Sequence, residues 1–196
     1  MKVLYLGLNP KANTFHYPVI RTIPYASPKE ALNKWDLFTH MIITSKTTVS
    51  YWLGPWDKTL IAIGEATAGA LREKGLKCIV APIATQEGVI QLLKTIPNGN
   101  FFYPHSRRAR PNLIQYFQGE NIPFFSLKLY DTVFQKPLPV PSLEEFHEIV
   151  FTSPSTVEGF LKIYGEFPSK IVLTAIGPVT EKYLKKCTQN LPTALS

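Results

Sequence analysis

One short phrase occurs twice in this chain, each time where strand-forming residues give way to a helical pattern. Residues 42–49 read Ile-Ile-Thr-Ser-Lys-Thr-Thr-Val, and residues 150–157 read Val-Phe-Thr-Ser-Pro-Ser-Thr-Val. A second phrase follows each copy: Ala62-Ile63-Gly64-Glu65-Ala66-Thr67 after the first, Ala175-Ile176-Gly177-Pro178-Val179-Thr180 after the second. Two phrases repeated in one order predict two related α/β lobes rather than one continuous sheet. A pair of related lobes normally encloses a cleft, and clefts between domains are where ligands collect.

Short β-branched or aromatic runs alternate with helical patterns along the whole chain, which predicts βα units and largely parallel sheets. Strands are expected at 2–7, 19–24, 39–44, 59–63, 77–81, 100–103, 122–129, 147–152 and 171–175, with helices near 28–34, 45–53, 65–74, 86–94, 107–118, 155–163 and 178–187. The helix at 65–74 ends on Lys74-Gly75, with cations in its last turn and a glycine stop. The repeat does not cut the chain into contiguous halves. Lys2–Gly7 resembles Asn100–Pro104, yet the first Thr-Ser phrase comes some 40 residues after Lys2–Gly7. Two crossing segments fit this order, with linker strands near 19–25 and 126–133. One lobe then combines 1–23 with 132–196, and the other is the continuous stretch 24–131; a tandem split near residue 98 is the alternative. Pro137, Pro139 and Pro141 stiffen the connector at 136–141.

The formal net charge is +7, which favours polyanionic partners: nucleic acid, anionic lipid or a small polycarboxylate. Nucleic acid is the weakest of these, because the basic cluster at 103–110 lacks interleaved aromatics and no RNA- or DNA-binding module is present. Cys78 and Cys187 have no CxxC spacing and no histidine neighbours, so they read as ordinary thiols. No apolar run approaches the roughly 18–20 residues of a membrane span, and no signal-like leader is seen. A cytoplasmic protein that binds neither membrane nor nucleic acid, and a monomer, are expected.

The residues that can carry chemistry stand at strand-to-helix corners. Thr44, Ser45, Thr152 and Ser153 occupy N-cap positions, where a hydroxyl satisfies free helix N–H groups. In parallel sheets, ligands gather outside the carboxyl ends of strands, beside helix N-termini that carry partial positive charge. Each lobe offers two such corners, one after Thr-Ser and one after Ile-Gly, which suits a ligand with several negative groups. Gly64 and Gly177 sit where the backbone approaches something closely; neither belongs to GxGxxG. Thr67 and Thr180 follow them on the first helical turn, facing either a ligand or their own helix. Of Arg107, Arg108 and Arg110, one or two can reach a ligand, with Arg107 the candidate. His105 has no carboxylate partner nearby in sequence and receives no catalytic role; Glu144, Glu145 and Glu148 read as a solvated face. No Walker loop, nucleophile elbow or metal-ligand motif is present, so an enzyme of this kind works without metal and relies on binding geometry.

Together the ordered set Thr44-Ser45, Ala62-Ile63-Gly64, Ala66-Thr67, Thr85-Gln86-Glu87-Gly88, Leu129-Tyr130-Asp131-Thr132, Phe151-Thr152-Ser153-Pro154 and Ala175-Ile176-Gly177-Pro178 with Thr180 resembles the uroporphyrinogen-III synthase family. The resemblance spans about residues 1–187. It implies two flavodoxin-like α/β lobes joined by a two-stranded linker, with the ligand cleft between them. It implies a cofactor-independent cyclising lyase acting on hydroxymethylbilane, a linear tetrapyrrole with eight carboxylates. A hydroxyl leaves ring A to give an azafulvene, which attacks ring D at its substituted position. A spiro intermediate then resolves with ring D inverted, in haem biosynthesis. Without the enzyme the substrate closes to the symmetric isomer I.

The resemblance also places roles. Tyr130 matches the family's linker tyrosine and is implied to assist hydroxyl departure, while Ser45, Thr67, Thr152, Ser153 and Thr180 match its strand-end and helix-start hydroxyls. Lys46 stands where the family often has proline. The stretch Asn190–Ser196 begins to resemble Ala81–Thr85 and then stops, so the second lobe is expected to be short by about one helix. Two other readings fit the same corners: a non-enzymatic two-lobed binding protein for an anionic small molecule, or a synthase-like regulatory module.

Overall fold

The computed structural model describes residues 2–189. In chain order the strands are β1 (Lys2–Tyr5), β2 (Phe15–His16), β3 (Ile20–Pro24), β4 (His40–Ile43), β5 (Thr59–Ala62), β6 (Ile79–Val80), β7 (Phe101–Ser106), β8 (Phe124–Phe134), β9 (Phe146–Phe151) and β10 (Val172–Ala175). The helices are α1 (Lys29–Leu32), α2 (Lys46–Tyr51), α3 (Glu65–Arg72), α4 (Gln86–Leu93), α5 (Asn112–Gly119), α6 (Pro154–Tyr164) and α7 (Pro178–Gln189). Each helix and strand expected from the sequence has a counterpart. The structure adds the short β2 and single 3-10 turns at Trp35–Leu37 and Leu143–Glu145. Residues 190–196, where the expected shortening falls, lie outside the described residues.

The chain divides into two compact units, one made of the residues up to Thr22 and from Thr132 onward, the other of Ile23–Asp131. A six-stranded sheet has the order β3-β8-β7-β4-β5-β6; β4, β5, β6 and β7 belong wholly to the second unit, and the chain passes between the units within β3 and within β8. The pairs β4–β5, β4–β7, β5–β6 and β7–β8 are parallel. Along β4 and its neighbours successive side chains enter opposite cores, as a period of two requires. Met41, Ile43, Leu60, Ala62 and Phe102 meet Val49, Trp52, Ala68 and Leu71 of the α2–α3 layer. Ile42, Ile61, Phe101 and Tyr103 meet Val89, Leu93, Leu113 and Phe117 of the α4–α5 layer. A strand buried on both faces reads as an unbroken apolar run, and Met41-Ile42-Ile43 is one.

The other unit holds a parallel sheet in the order β10-β9-β1-β2. Its core is Leu4, Leu6, Ile149, Phe151, Val157, Phe160 and Leu184. The connector after β8 is tied down within this unit: Gln135 donates to the Pro18 and Ile20 carbonyls, and the Tyr17 hydroxyl donates to the Pro137 carbonyl at 2.8 Å.

Local signals place several boundaries. Downstream of α3 the N–H of Leu76 reaches the Leu71 carbonyl and that of Gly75 the Arg72 carbonyl, with Gly75 at φ +75°, a Schellman stop that glycine adopts without penalty. The helix expected from 107 instead begins at Asn112. Its forerunner is used otherwise: the Arg107 N–H donates to the Tyr130 carbonyl and the Ala109 N–H to the Ser106 carbonyl, so Ser106–Ala109 forms a turn.

Two helical glycines, Gly69 within α3 and Gly88 in the first turn of α4, should respond oppositely to alanine. A Cβ on Gly88 would stand 2.0 Å from the Ile83 carbonyl oxygen, whereas one on Gly69 meets nothing within 4 Å. Gly69→Ala should raise stability by about 0.5–1 kcal/mol through helix propensity. Gly88→Ala should lower it by about 1–3 kcal/mol through overpacking. Urea midpoints of the two variants, read against wild type, check both signs.

Candidate functional site

In an open parallel sheet the ligand crevice lies at the carboxyl edge, where the strand order reverses direction. In the Ile23–Asp131 unit the chain proceeds from β4 to β5 and β6 on one side and to β7 and β8 on the other, so the reversal falls between β4 and β7. The first Thr-Ser phrase ends β4. In the other unit β9 leads to β10 on one side and has β1 on the other, and the second Thr-Ser phrase ends β9. Both repeated phrases therefore stand at switch points.

At the β4–β7 point, Ser45 caps α2 by accepting the Thr47 N–H at 3.1 Å. Thr44 Oγ1 lies 3.5 Å from the Tyr103 hydroxyl, which also accepts from Gln86 Nε2 at 3.1 Å. Gln86 is buried, donates to the Arg110 carbonyl at 3.0 Å, and accepts the Leu113 N–H at 3.4 Å. This network ties β4, β7, α4 and α5 together below the edge. Burial, only partly offset by the Thr44 hydroxyl, pushes the Tyr103 phenol up to about 12.

Tyr130 reaches the same edge because β8 carries an irregularity. His105 pairs with Lys128, but Ser106 pairs with Tyr130, so the register slips by one residue. A regular strand would send Leu129 and Tyr130 to opposite faces; the slip returns both to the α2–α3 core, where Leu127 also lies. Tyr130 is 4% exposed, and its ring stacks on Tyr51 of α2 at 5.5 Å and 13°. Burial pushes its phenol up, and the neighbouring hydroxyls of Ser45, Thr48 and Thr47 partly offset that. The group is a neutral O–H donor at physiological pH, with hydroxyls arranged to favour its ionised form.

Arg107 joins this group through its backbone bond to Tyr130. Its guanidinium donates to Asp131 at 3.2 Å and lies 5.2 Å from the centre of the Tyr25 ring. Arg110 is committed elsewhere, donating to both carboxylate oxygens of Glu87 at 2.8 and 3.0 Å, and holds that carboxyl at about 2. His105 is buried, with Nδ1 2.7 Å from the Ser106 carbonyl and Nε2 2.9 Å from Ser126 Oγ; both ring nitrogens serve the fold.

The glycine corners differ. Gly64 precedes α3 in extended backbone, and a Cβ there would stand 2.7 Å from Ala84 Cβ. Gly177 has φ +84° with open space around it, so backbone conformation rather than crowding calls for glycine. Thr67 and Thr180 are both buried on their first helical turns. Ser153 forms a full capping box with Thr156 at the start of α6, and the Thr152 N–H also donates to the Thr156 hydroxyl. Sequence reasoning gave no role to Tyr103, Gln86, Tyr51, Thr47 or Thr48. Gln86 lay inside a recognised phrase, and Thr48 matches Thr156 within the repeat. Among the described residues no group of three or more His, Cys, Asp or Glu can hold a metal, and no helix is long and apolar enough to cross a membrane. Cys78 and Cys187 are free thiols.

Residues 10–191 match the family described as uroporphyrinogen-III synthase HemD. The chain belongs to the uroporphyrinogen-III synthase family. Its fold is that of solved members. The uroporphyrinogen-III synthetase of Helicobacter pylori superposes with a TM-score of 0.64 at 19% identity, over 97% of this chain and 90% of that one. A mutant synthase from Thermus thermophilus gives 0.62 at 18% identity, over 94% and 88%, and the wild-type form gives 0.54 at 18%, over 94% and 87%. No curated protein matches the sequence. Members of this family are cyclising lyases of tetrapyrrole biosynthesis, and this chain is an enzyme of that class.

The buried Tyr103 phenol makes a pH-dependent contribution. Its pKa in the fold, about 12, exceeds the ordinary 10.0, so its stabilisation is complete below pH 10 and is lost as pH rises toward 12. The expected loss is about 1.4 kcal/mol per pH unit across that window. Urea midpoints taken between pH 9 and 12 (about one unit apart) should fall less steeply in Tyr103→Phe than in wild type.

Proposed function

We propose that this chain converts hydroxymethylbilane to uroporphyrinogen III, with Tyr130 as proton donor to the departing hydroxyl. One observation supports that role above the others: the phenol stands opposite Ser106, the last residue of β7, buried and neutral, beside the hydroxyls of Ser45, Thr47 and Thr48. A buried acid of this kind donates without first being ionised by solvent. The electron pair of the pyrrole nitrogen expels the hydroxyl from ring A. The C–O bond breaks, the Tyr130 proton leaves with that oxygen as water, and a phenolate faces the azafulvenium. After ring closure and inversion of ring D, the pyrrole system releases one proton, which restores the phenol. The sum is substrate to macrocycle plus water.

The substrate's carboxylates are assigned to the helix starts of both units: Thr44, Ser45, Gly64 and Thr67 in one, Thr152, Ser153, Gly177 and Thr180 in the other, with Arg107 as an added cation. The helix dipoles support this assignment, although the Ser45 and Ser153 caps already occupy N–H donors at the two Thr-Ser corners, and a net charge of +7 draws the polyanion in. The reading includes a monomer acting in the cytoplasm, with hydroxymethylbilane as its partner and neither nucleic acid nor membrane.

The test supplies enzymatically made hydroxymethylbilane, oxidises the product and separates the uroporphyrin isomers. Isomer III should predominate; isomer I alone, at the spontaneous rate, would sink the proposal. Tyr130→Phe should lower kcat by about tenfold to a hundredfold, at or below the lower edge of what a positioned acid contributes. Its KM should change little, because the proton is needed only as the bond breaks. Raising salt should lift KM for the wild-type enzyme while leaving kcat nearly constant, since screening weakens capture of the polyanion rather than the bond-breaking step.

A further inference from the structure

The two Thr-Ser phrases give the molecule an internal control. Thr48 stands three residues after Ser45, as Thr156 stands three residues after Ser153. Thr156 Oγ1 is fully engaged: it accepts the N–H groups of Thr152 at 3.1 Å and Ser153 at 3.2 Å, and donates to the Ser153 carbonyl at 2.7 Å. Ser153 Oγ accepts the Thr156 N–H in return. In the first phrase the cap moves by one residue, to the Thr47 N–H, and the reciprocal bond is not made. Thr48 is 0% exposed, and its Oγ1 makes no hydrogen bond of good geometry, although it is among the hydroxyls that favour the ionised Tyr130 phenol.

A buried hydroxyl without a partner costs free energy, and threonine can usually escape by bonding back to its own helix. The acceptor for that escape is close, because the Thr48 N–H already donates to the Ser45 carbonyl at 3.1 Å. Its orientation follows from helix geometry. Residues three apart share a helix face. Tyr51, three residues on, lays its ring on Tyr130, so Thr48 faces the same side.

We propose that Thr48 is a positioning residue for Tyr130: its uncommitted hydroxyl turns to the phenol oxygen and donates to it as the phenol loses its proton. The inference rests on the reading of Tyr130 as the proton donor. The phenol O–H breaks and the departing hydroxyl gains that proton, while Thr48 keeps its own throughout. An apolar burial that would oppose a phenolate is thereby offset at the one moment it forms, which is the condition for a contribution to kcat rather than to binding.

The test compares Thr48→Val, Thr48→Ser, Tyr130→Phe and the double variant Thr48→Val/Tyr130→Phe in the coupled assay, with urea midpoints for each. Thr48→Val preserves shape and removes the orphan hydroxyl, so its midpoint should equal or exceed wild type. Its kcat should fall by about tenfold, the scale of one hydrogen bond to a charged group, with KM unchanged. Thr48→Ser should recover most of that loss, and Thr48→Val should cost nothing further once residue 130 is Phe. If Tyr130→Phe is slow and Thr48→Val is not, the positioning role is overturned and the reading of Tyr130 stands. If Thr48→Val loses kcat and stability together and Thr48→Ser recovers neither, Thr48 is only structural and the proposal fails. If Tyr130→Phe is as fast as wild type, the reading of Tyr130 and this inference fall together.

Discussion

The one-residue slip between β7 and β8 is the constraint on which the Tyr130 site depends. Parallel pairing runs evenly from Phe101 opposite Phe124 to His105 opposite Lys128, then jumps to Ser106 opposite Tyr130. Without the jump, a buried Leu129 would require an outward Tyr130, because strand side chains alternate. With it, both residues enter the α2–α3 core, and the phenol meets the stacked ring of Tyr51 and the hydroxyls at the start of α2. The Arg107 N–H bond to the Tyr130 carbonyl, at 2.8 Å, carries the pairing past the slip and holds the strand there.

Around that point the repeated phrases have diverged in use while keeping their words. Thr156 spends its hydroxyl on a capping box, and Thr48 keeps its own free. Gly177 is required by a left-handed backbone, and Gly64 by the close approach of Ala84. Each unit thus presents a Thr-Ser corner at a strand-order reversal and an Ile-Gly corner beside it. One unit's Thr-Ser helix is sealed by its cap, whereas the other's leaves donors beside a buried phenol.

The polar network beneath the edge explains how such a site holds its shape. Gln86 links the Tyr103 hydroxyl, the Arg110 carbonyl and the Leu113 N–H, so β7, α5 and the turn between them are joined to α4 through one buried amide. Arg110 is in turn pinned by Glu87, while Arg107 is held by Asp131 over the Tyr25 ring, at the end of β7 beside Tyr130. A reaction that depends on holding a flexible chain folded needs this kind of rigidity more than it needs a powerful acid or base.

The order and type of the elements were legible in the residues because local chemistry decides them. Strand alternation, Thr-Ser caps and the Gly75 stop all act within a turn or two, and the repeat of two phrases identified two parallel α/β lobes. The family was legible from the order of several weak phrases, none of which suffices alone. Where the helix after β7 begins was not legible, because the N–H of Arg107 is taken by a residue 23 positions later. The partition of the three arginines followed from partners distant in sequence. The different fates of Thr48 and Thr156 could not be read from near-identical words. Local sequence settles what an element is. Register, orphaned hydroxyls and ion-pair choice arise only when separate elements compete for the same donors and the same buried space.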